Sequence, residues 1–400
     1  MSHRHPLQDF AFMKKKAVCK KPASNNLRMK FMWMIIFLAL PLAGLGYVLW
    51  HVWQVLPFAN CWRWAATAVA VALFLSMFLV FSGAIEGMPL RLAAAVYEVG
   101  TSVIFVLLYL VMAFLLLDLG RLAHLVPKTW LCGNGYTALG ILALMLAVFG
   151  YGNAHYNNKA REAIAIKTAK SIAPDKKTGM RIVLLSDLHL GYHNRKAEFR
   201  RWVDMINAEH PDLILIGGDI IDISVRPLLE ENVAEEFHRL QAPVYACLGN
   251  HEYYSGEPKA QRFYQEAGIR LLRDSVARLG NLCIIGRDDR TNLRRLPLAQ
   301  IMAKGSVGKE RDFSILLDHQ PYHLEEAERC GIDFQFSGHT HRGQVWPVSW
   351  ITDALYEDSF GPLRKGRTQY YVSSGMGIWG GKFRIGTRSE YVVLDIKDKI

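Results

Sequence analysis

Four hundred residues are too many for one typical domain and suggest two or three units. The formal net charge of +11 raises nucleic acid as a partner, but the basic excess is concentrated beside apolar runs, which disfavours that reading. The six cysteines are scattered without a CxxC pair, which argues against a cysteine zinc site or a disulfide framework and suits a reducing compartment.

Residues 1–29 are polar and basic, without periodicity, and read as a flexible tail. Apolar runs follow at about 31–56, 62–83, 93–118 and 136–152, the first three long enough for the roughly 20 residues a crossing needs and the fourth shorter. The first run lacks a small-residue cleavage site, unlike a removable signal peptide. Trp50, Trp53, Trp62, Trp64 and Trp130 lie near the run ends, as interfacial aromatics do. Lys14, Lys15, Lys16, Lys20 and Lys21 precede the first run, and Lys159, Arg161, Lys167 and Lys170 follow the last. Four crossings with basic ends predict a multi-pass protein of the cell (inner) membrane, both ends cytoplasmic; a fourth run that failed to span would reverse the second side. Glu86, Arg91 and Glu98 read as a turn at the interface.

Residues 153–177 read as a polar linker, and 178–400 as a soluble domain. Short β-branched and apolar runs recur at 181–186, 213–216, 244–248, 282–285, 313–317, 334–336, 370–372 and 391–394, with helical patterns over 197–209 and 231–240. This alternation predicts a layered α/β architecture.

Polar residues fall where these strands end: Asp187-Leu-His189, Gly217-Gly-Asp219, Gly249-Asn250-His251-Glu252, Asp318-His319 and Gly338-His339-Thr-His341. Ligands bind at the carboxyl ends of strands in open α/β sheets. Asp, Asn and neutral His together suit divalent transition metals. A lone DxH is usually a turn; this many in order, each after a strand, is not a chance pattern.

The order DxH…GD…GNHE…H…GHTH resembles the calcineurin-like metallophosphoesterase superfamily over about residues 178–396. The apolar runs ahead of it make the chain similar to the YkuE-like group and to transmembrane proteins with a metallophosphoesterase domain. The resemblance implies a four-layer α/β/β/α sandwich behind a four-helix transmembrane region. It also implies two divalent metal ions: one held by Asp187, His189, Asp219 and His341, the other by Asp219, Asn250, His319 and His339, with Asp219 bridging. A hydroxide held between the ions would attack the phosphate. His251 would be the general acid facing the leaving group, oriented by Asp222, although a turn or cap role for Asp222 stays open. Manganese, iron and zinc all suit the set.

Protein serine/threonine phosphatases of this superfamily follow GDxxD with Arg-Gly; Ile223-Ser224 stand here, which disfavours that class. Arg195 and Arg342 are candidate phosphate-binding cations. Asp318 is a supporting or strand-end residue, and His193, His210, His238 and His323 match no motif. Ser373–Gly377 and Trp379-Gly-Gly resemble the family's closing loop, and Trp379, Phe383 and Trp346–Trp350 are candidates for an apolar substrate entrance. The expectation is a membrane-anchored phosphomonoesterase or phosphodiesterase, its substrate a phosphate ester that could be lipid-linked; UDP-diacylglucosamine is one candidate, because a hydrolase of that lipid belongs to the superfamily. A membrane sensor or scaffold with an inactive esterase fold, and a nuclease, are the alternatives.

Overall fold

In lipid, a long apolar run must satisfy its backbone polar groups within itself, so helix is the structure open to it. A computed structural model describes residues 23–170, 172 and 179–398, with side chains from residue 39 to 397. It contains α1 (Ala23–Val55), α2 (Asn60–Phe81), α3 (Leu90–Leu122) and α4 (Gly135–Asn157). Among the described residues, α2, α3 and α4 are long and apolar enough to cross a membrane. The predicted tail up to residue 22 lies outside the described residues, as do the side chains of the first half of α1.

Among the described residues, the part after α4 carries twelve strands in two sheets. They are β1 (Ala160–Thr168), β2 (Met180–Leu185), β3 (Leu213–Ile216), β4 (Val244–Ala246), β5 (Arg270–Leu271), β6 (Ser275–Leu279), β7 (Leu282–Gly286), β8 (Phe313–Leu317), β9 (Phe334–Ser337), β10 (Gly361–Lys365), β11 (Thr368–Val372) and β12 (Glu390–Asp398). One sheet runs β1-β12-β2-β3-β4-β5 and the other β10-β11-β9-β8-β7-β6. β2, β3 and β4 are mutually parallel, as are β7, β8, β9 and β11, so their carboxyl ends point the same way within each sheet.

Ile182, Leu184, Leu213 and Leu215 of the first sheet share one buried cluster with Ile284, Ile315, Leu317 and Phe336 of the second. The alternate residues Val183, Leu185, Ile214 and Ile216 pack instead on Phe199, Trp202 and Ile206 of α5 (Lys196–Ala208). This is the period-two alternation of a strand buried on both faces.

Two expectations need correction. The stretch expected as a linker over 153–177 holds the last turn of α4 and the whole of β1, which pairs in parallel with β12 from Ala160↔Glu390 to Thr168↔Asp398. β1 is an edge strand whose outward residues include Arg161 and Lys167, while Ile164 and Ile166 face the core, so its apolar signal is halved. The helix expected over 231–240 is reduced to Ala234–Phe237.

The basic residues after α4 also serve packing. Lys159 Nζ stands 3.4 Å from the centre of the Tyr156 ring, Arg161 pairs with Glu209, and Lys170 with Asp333.

Helices and sheets are docked directly. Tyr192 donates to Glu86 at 2.8 Å, and Arg226 donates to the carbonyls of Glu86 and Met88 just before α3. Tyr156 at the end of α4 donates to Asn194 and Glu198, both at 2.8 Å. Phe383 meets Phe149 of α4 with ring centres 4.7 Å apart, and Trp379 meets Phe81 at 6.3 Å. These two aromatics, read as entrance candidates, therefore join the domain to the helices.

Candidate metal centre

The loops after β2, β3, β4, β8 and β9 converge from both sheets. Their approach is closer than side chains on every residue would allow. A Cβ on Gly249 would lie 2.1 Å from Asp219 Oδ1, and one on Gly338 would lie 2.2 Å from Asp187 Oδ2. Five of the seven expected ligands hold left-handed backbone: Asp187 (φ 54°), His189 (43°), Asp219 (52°), His339 (72°) and His341 (47°). Such conformations cost on the order of 1 kcal/mol each and cluster where function demands them.

The expected ligands form two adjoining groups. Asp187, His189 and His341 bring donor atoms within 4.8 Å of one another, and so do Asp219, His319 and His339. His189 Nε2 and His341 Nε2 stand 3.0 Å apart, with Asp219 Oδ2 3.7 Å from the former and 3.0 Å from His319 Nε2. Second partners set the tautomers. His319 Nδ1–H donates to Gly217 O at 2.8 Å and His189 Nδ1–H to Asp222 Oδ1 at 3.3 Å, so both Nε2 atoms face inward. Burial opposes charge on His319, but Asp219 and Asp187 raise its pKa well above the ordinary imidazole range, so without a cation its Nε2 carries a proton toward Asp219 that a bound cation would displace. Burial, reinforced by neighbouring His319, lowers the His339 pKa to about 4, and burial beside His189 lowers that of His341 also, so both rings are neutral and able to ligate. Asp187 Oδ2 and Asn250 Oδ1 are buried without a hydrogen-bond partner. Unpaired buried lone pairs of this composition fit divalent cations.

Asp222 is fully buried and serves more than one neighbour. His251 Nδ1 lies 3.2 Å from its Oδ1, the same oxygen that accepts from His189. Burial opposes its ionisation, but the hydrogen bond from His189 and the nearby His251 ring hold its pKa well below the usual carboxylate range. Burial likewise opposes charge on His251, yet Asp219 and Asp222 raise its pKa to about 9. His251 is therefore a cation beside the two ligand groups.

The calcineurin-like phosphoesterase model matches residues 180–343. A metallophosphoesterase from Helicobacter pylori is 32% identical over 64% of this chain and 70% of its own length. The chain belongs to the calcineurin-like phosphoesterase family. A zebrafish transmembrane protein with metallophosphoesterase domain is 30% identical over 64% of this chain and 61% of its own length, and YkuE of Bacillus subtilis is 28% identical over 62% and 90%. The chain spans 61% to 70% of the length of several such relatives.

Other residues of this phosphoesterase lie where the sequence did not direct attention. Glu252, quoted only as part of a motif, is wholly buried and accepts from the backbone N–H groups of Asp219, Ile221 and Gly249, tying the β3 and β4 loops together. Asp318 pairs with Arg287 and Arg295 and is turned away from the ligands. Arg195 is engaged by Glu231, and the Arg342 guanidinium lies 4.7 Å from the Phe360 ring centre. His210, His238 and His323 lie outside the site, but His193 is buried, its Nε2–H donating to Ile378 O at 2.7 Å. The Ser373–Gly377 loop does pass the site: a Cβ on Gly377 would lie 2.1 Å from Leu188 O.

Arg384 was not singled out by any motif. It is fully buried and donates to the carbonyls of His341, Ser374 and Gly377, pinning the closing loop to the turn that bears His341. Arg384→Met strands those acceptors. Each hydrogen bond to a charged group is worth about 1.5–3 kcal/mol, so a loss of about 3 kcal/mol or more is expected in chemical denaturation. A melting curve matching wild type would contradict this.

Proposed function

We propose that this chain is a membrane-anchored dimetal phosphoesterase that hydrolyses phosphate esters. The observation carrying the reading is that donor atoms of Asp187, His189 and His341, and of Asp219, His319 and His339, lie within 4.8 Å of one another, with Asp187 Oδ2 and Asn250 Oδ1 buried and unpartnered. Asp187, His189, Asp219 and His341 would hold one ion, and Asp219, Asn250, His319 and His339 the other. The position of Asp219 Oδ2 between His189 and His319 supports its bridging role. Two divalent ions supply Lewis-acid charge for the phosphate oxygens and an acidified water. His251, oriented by Asp222, delivers a proton to the leaving-group oxygen. The clusters on both faces of each sheet support the four-layer arrangement.

Four crossings fit the contacts: the end of α2, the start of α3 and the end of α4 all meet the same domain. The basic residues of the N-terminal tail favour a cytoplasmic domain. A lipid-linked ester is the favoured substrate. The helix Val348–Leu355 beside His341 exposes Trp350, Ile351 and Leu355, and an apolar groove of about 540 Å³ opens among Leu40, Pro41, Gly44, Phe105 and Val348. The test is hydrolysis by the full chain in detergent of matched phosphodiesters with and without acyl chains. A gain in kcat/KM with chain length supports a lipid substrate, and equal rates count against it.

Chelation offers an independent check. Without cations, Asp187 and Asp219 face each other in a buried site, and a ligand at about 1,000 times its Kd stabilises by about 4 kcal/mol. Chelator should lower the melting temperature and abolish hydrolysis, with manganese restoring both. An unchanged melting temperature and rate would sink the dimetal reading.

A further inference from the structure

We propose that helix α3 belongs to the active site, with Tyr97 a positioning residue that holds Asp222 for His189 and His251. The inference rests on the dimetal reading above. Tyr97 lies seven residues into a helix apolar enough to span a membrane, yet its side chain is wholly buried against the catalytic domain. Its ring stacks on His193 with centres 5.0 Å apart and on Tyr192 at 5.9 Å.

Tyr97 and Asp222 share His193 as a neighbour: its ring faces Tyr97, its Nδ1 lies 3.8 Å from Asp222 Oδ2, and Asp222 is the charged group beside the Tyr97 hydroxyl. That carboxylate divides its oxygens. Oδ1 serves His189 at 3.3 Å and His251 at 3.2 Å, whereas Oδ2 has no hydrogen-bond partner and lies 3.8 Å from His193 Nδ1. His193 has no proton to offer there. Its Nε2–H is given to Ile378 O, and burial lowers its pKa to about 4, so its Nδ1 presents a lone pair. The Tyr97 hydroxyl, like Oδ2, is buried without a hydrogen-bond partner, so it is the donor proposed to close on Oδ2. A carboxylate held at Oδ2 keeps Oδ1 aimed at both histidines, which lets Tyr97 act on a ligand and on the acid together.

The seat of α3 is built for this. A Cβ on Gly380 would lie 3.1 Å from Thr101, and one on Gly381 would lie 2.8 Å from Ser102 Oγ, so the paired glycines admit the helix. Gly380 and Gly381, in the stretch that resembles the family's closing loop, thus receive α3. Arg226 fixes the start of the same helix through Met88 O at 2.8 Å.

Tyr97→Phe deletes the hydroxyl and keeps the ring, so folding should be retained. Measured on the full chain in detergent with bis(4-nitrophenyl) phosphate and saturating manganese, kcat should fall about 10- to 100-fold with KM little changed. Manganese affinity, followed by the electron paramagnetic resonance of the free ion, should weaken. Added to Asp222→Asn, Tyr97→Phe should cost nothing further, because the two residues act as one unit. A Tyr97→Phe protein matching wild type in both kcat and manganese affinity overturns the proposal. So do losses that multiply with those of Asp222→Asn, the signature of a merely structural role. A wild-type chain inactive with every divalent ion would instead refute the underlying dimetal reading.

Discussion

Asp219→Asn should lower kcat for phosphoester hydrolysis about 1,000-fold and reduce bound metal by at least one ion per chain. Asp219 is the carboxylate facing both ligand groups: Oδ2 lies 3.0 Å from His319 Nε2 and 3.7 Å from His189 Nε2, while Oδ1 accepts from the His251 backbone N–H at 2.9 Å. The amide keeps the shape but replaces one oxygen by a donor, which repels a cation. Loss of several kcal/mol of charge stabilisation corresponds to about three decades in rate. The fold should survive. Asn tolerates the left-handed backbone of this position (φ 52°), and Glu252 still holds the residue 219 amide. Elemental analysis and a chromogenic diester assay decide the matter. A variant with full metal and wild-type turnover would remove Asp219 from the centre.

His251→Ala should behave differently, leaving metal content intact while lowering kcat about 10²–10⁴-fold. The loss should be large for alkyl leaving groups and small for nitrophenolate, which departs without a proton. Burial works against the charged ring, but Asp219 and Asp222 raise its pKa to about 9. A raised pKa keeps the acid protonated below that value, so activity declines as pH rises through it. Cations beside Asp219 offset part of that effect and move the limb below 9. The variant should lack this alkaline limb. If it retains the limb, or loses activity equally for all leaving groups, His251 is not the acid.

The candidate ligands were legible because each lies just past a strand end, and Asp219, Asn250 and His339 each stand beside a glycine. Strand and motif are both local patterns, and Asp187, His189, Asp219, Asn250, His251, His319, His339 and His341 could be named from them. β1 was not legible, since an edge strand with charged outward residues looks like a linker until β12 pairs with it. Arg195 and Arg342 were chosen by proximity in sequence, and the fold gives them Glu231 and Phe360 instead.

The sequence by itself determined the family, the candidate metal-ligand pattern and the presence of long apolar helices. Only the tertiary structure decided what surrounds that chemistry. Asp222 lies between His189 and His251, Arg384 braces the turn that bears His341, and Tyr97 of an apolar helix stacks on His193. The GDxxD motif pointed to Asp222 beside His251, but its sharing with His189 and the contacts of Arg384 and Tyr97 leave no periodic or motif trace, because each joins groups that are distant along the chain and become neighbours only when helices and sheets dock.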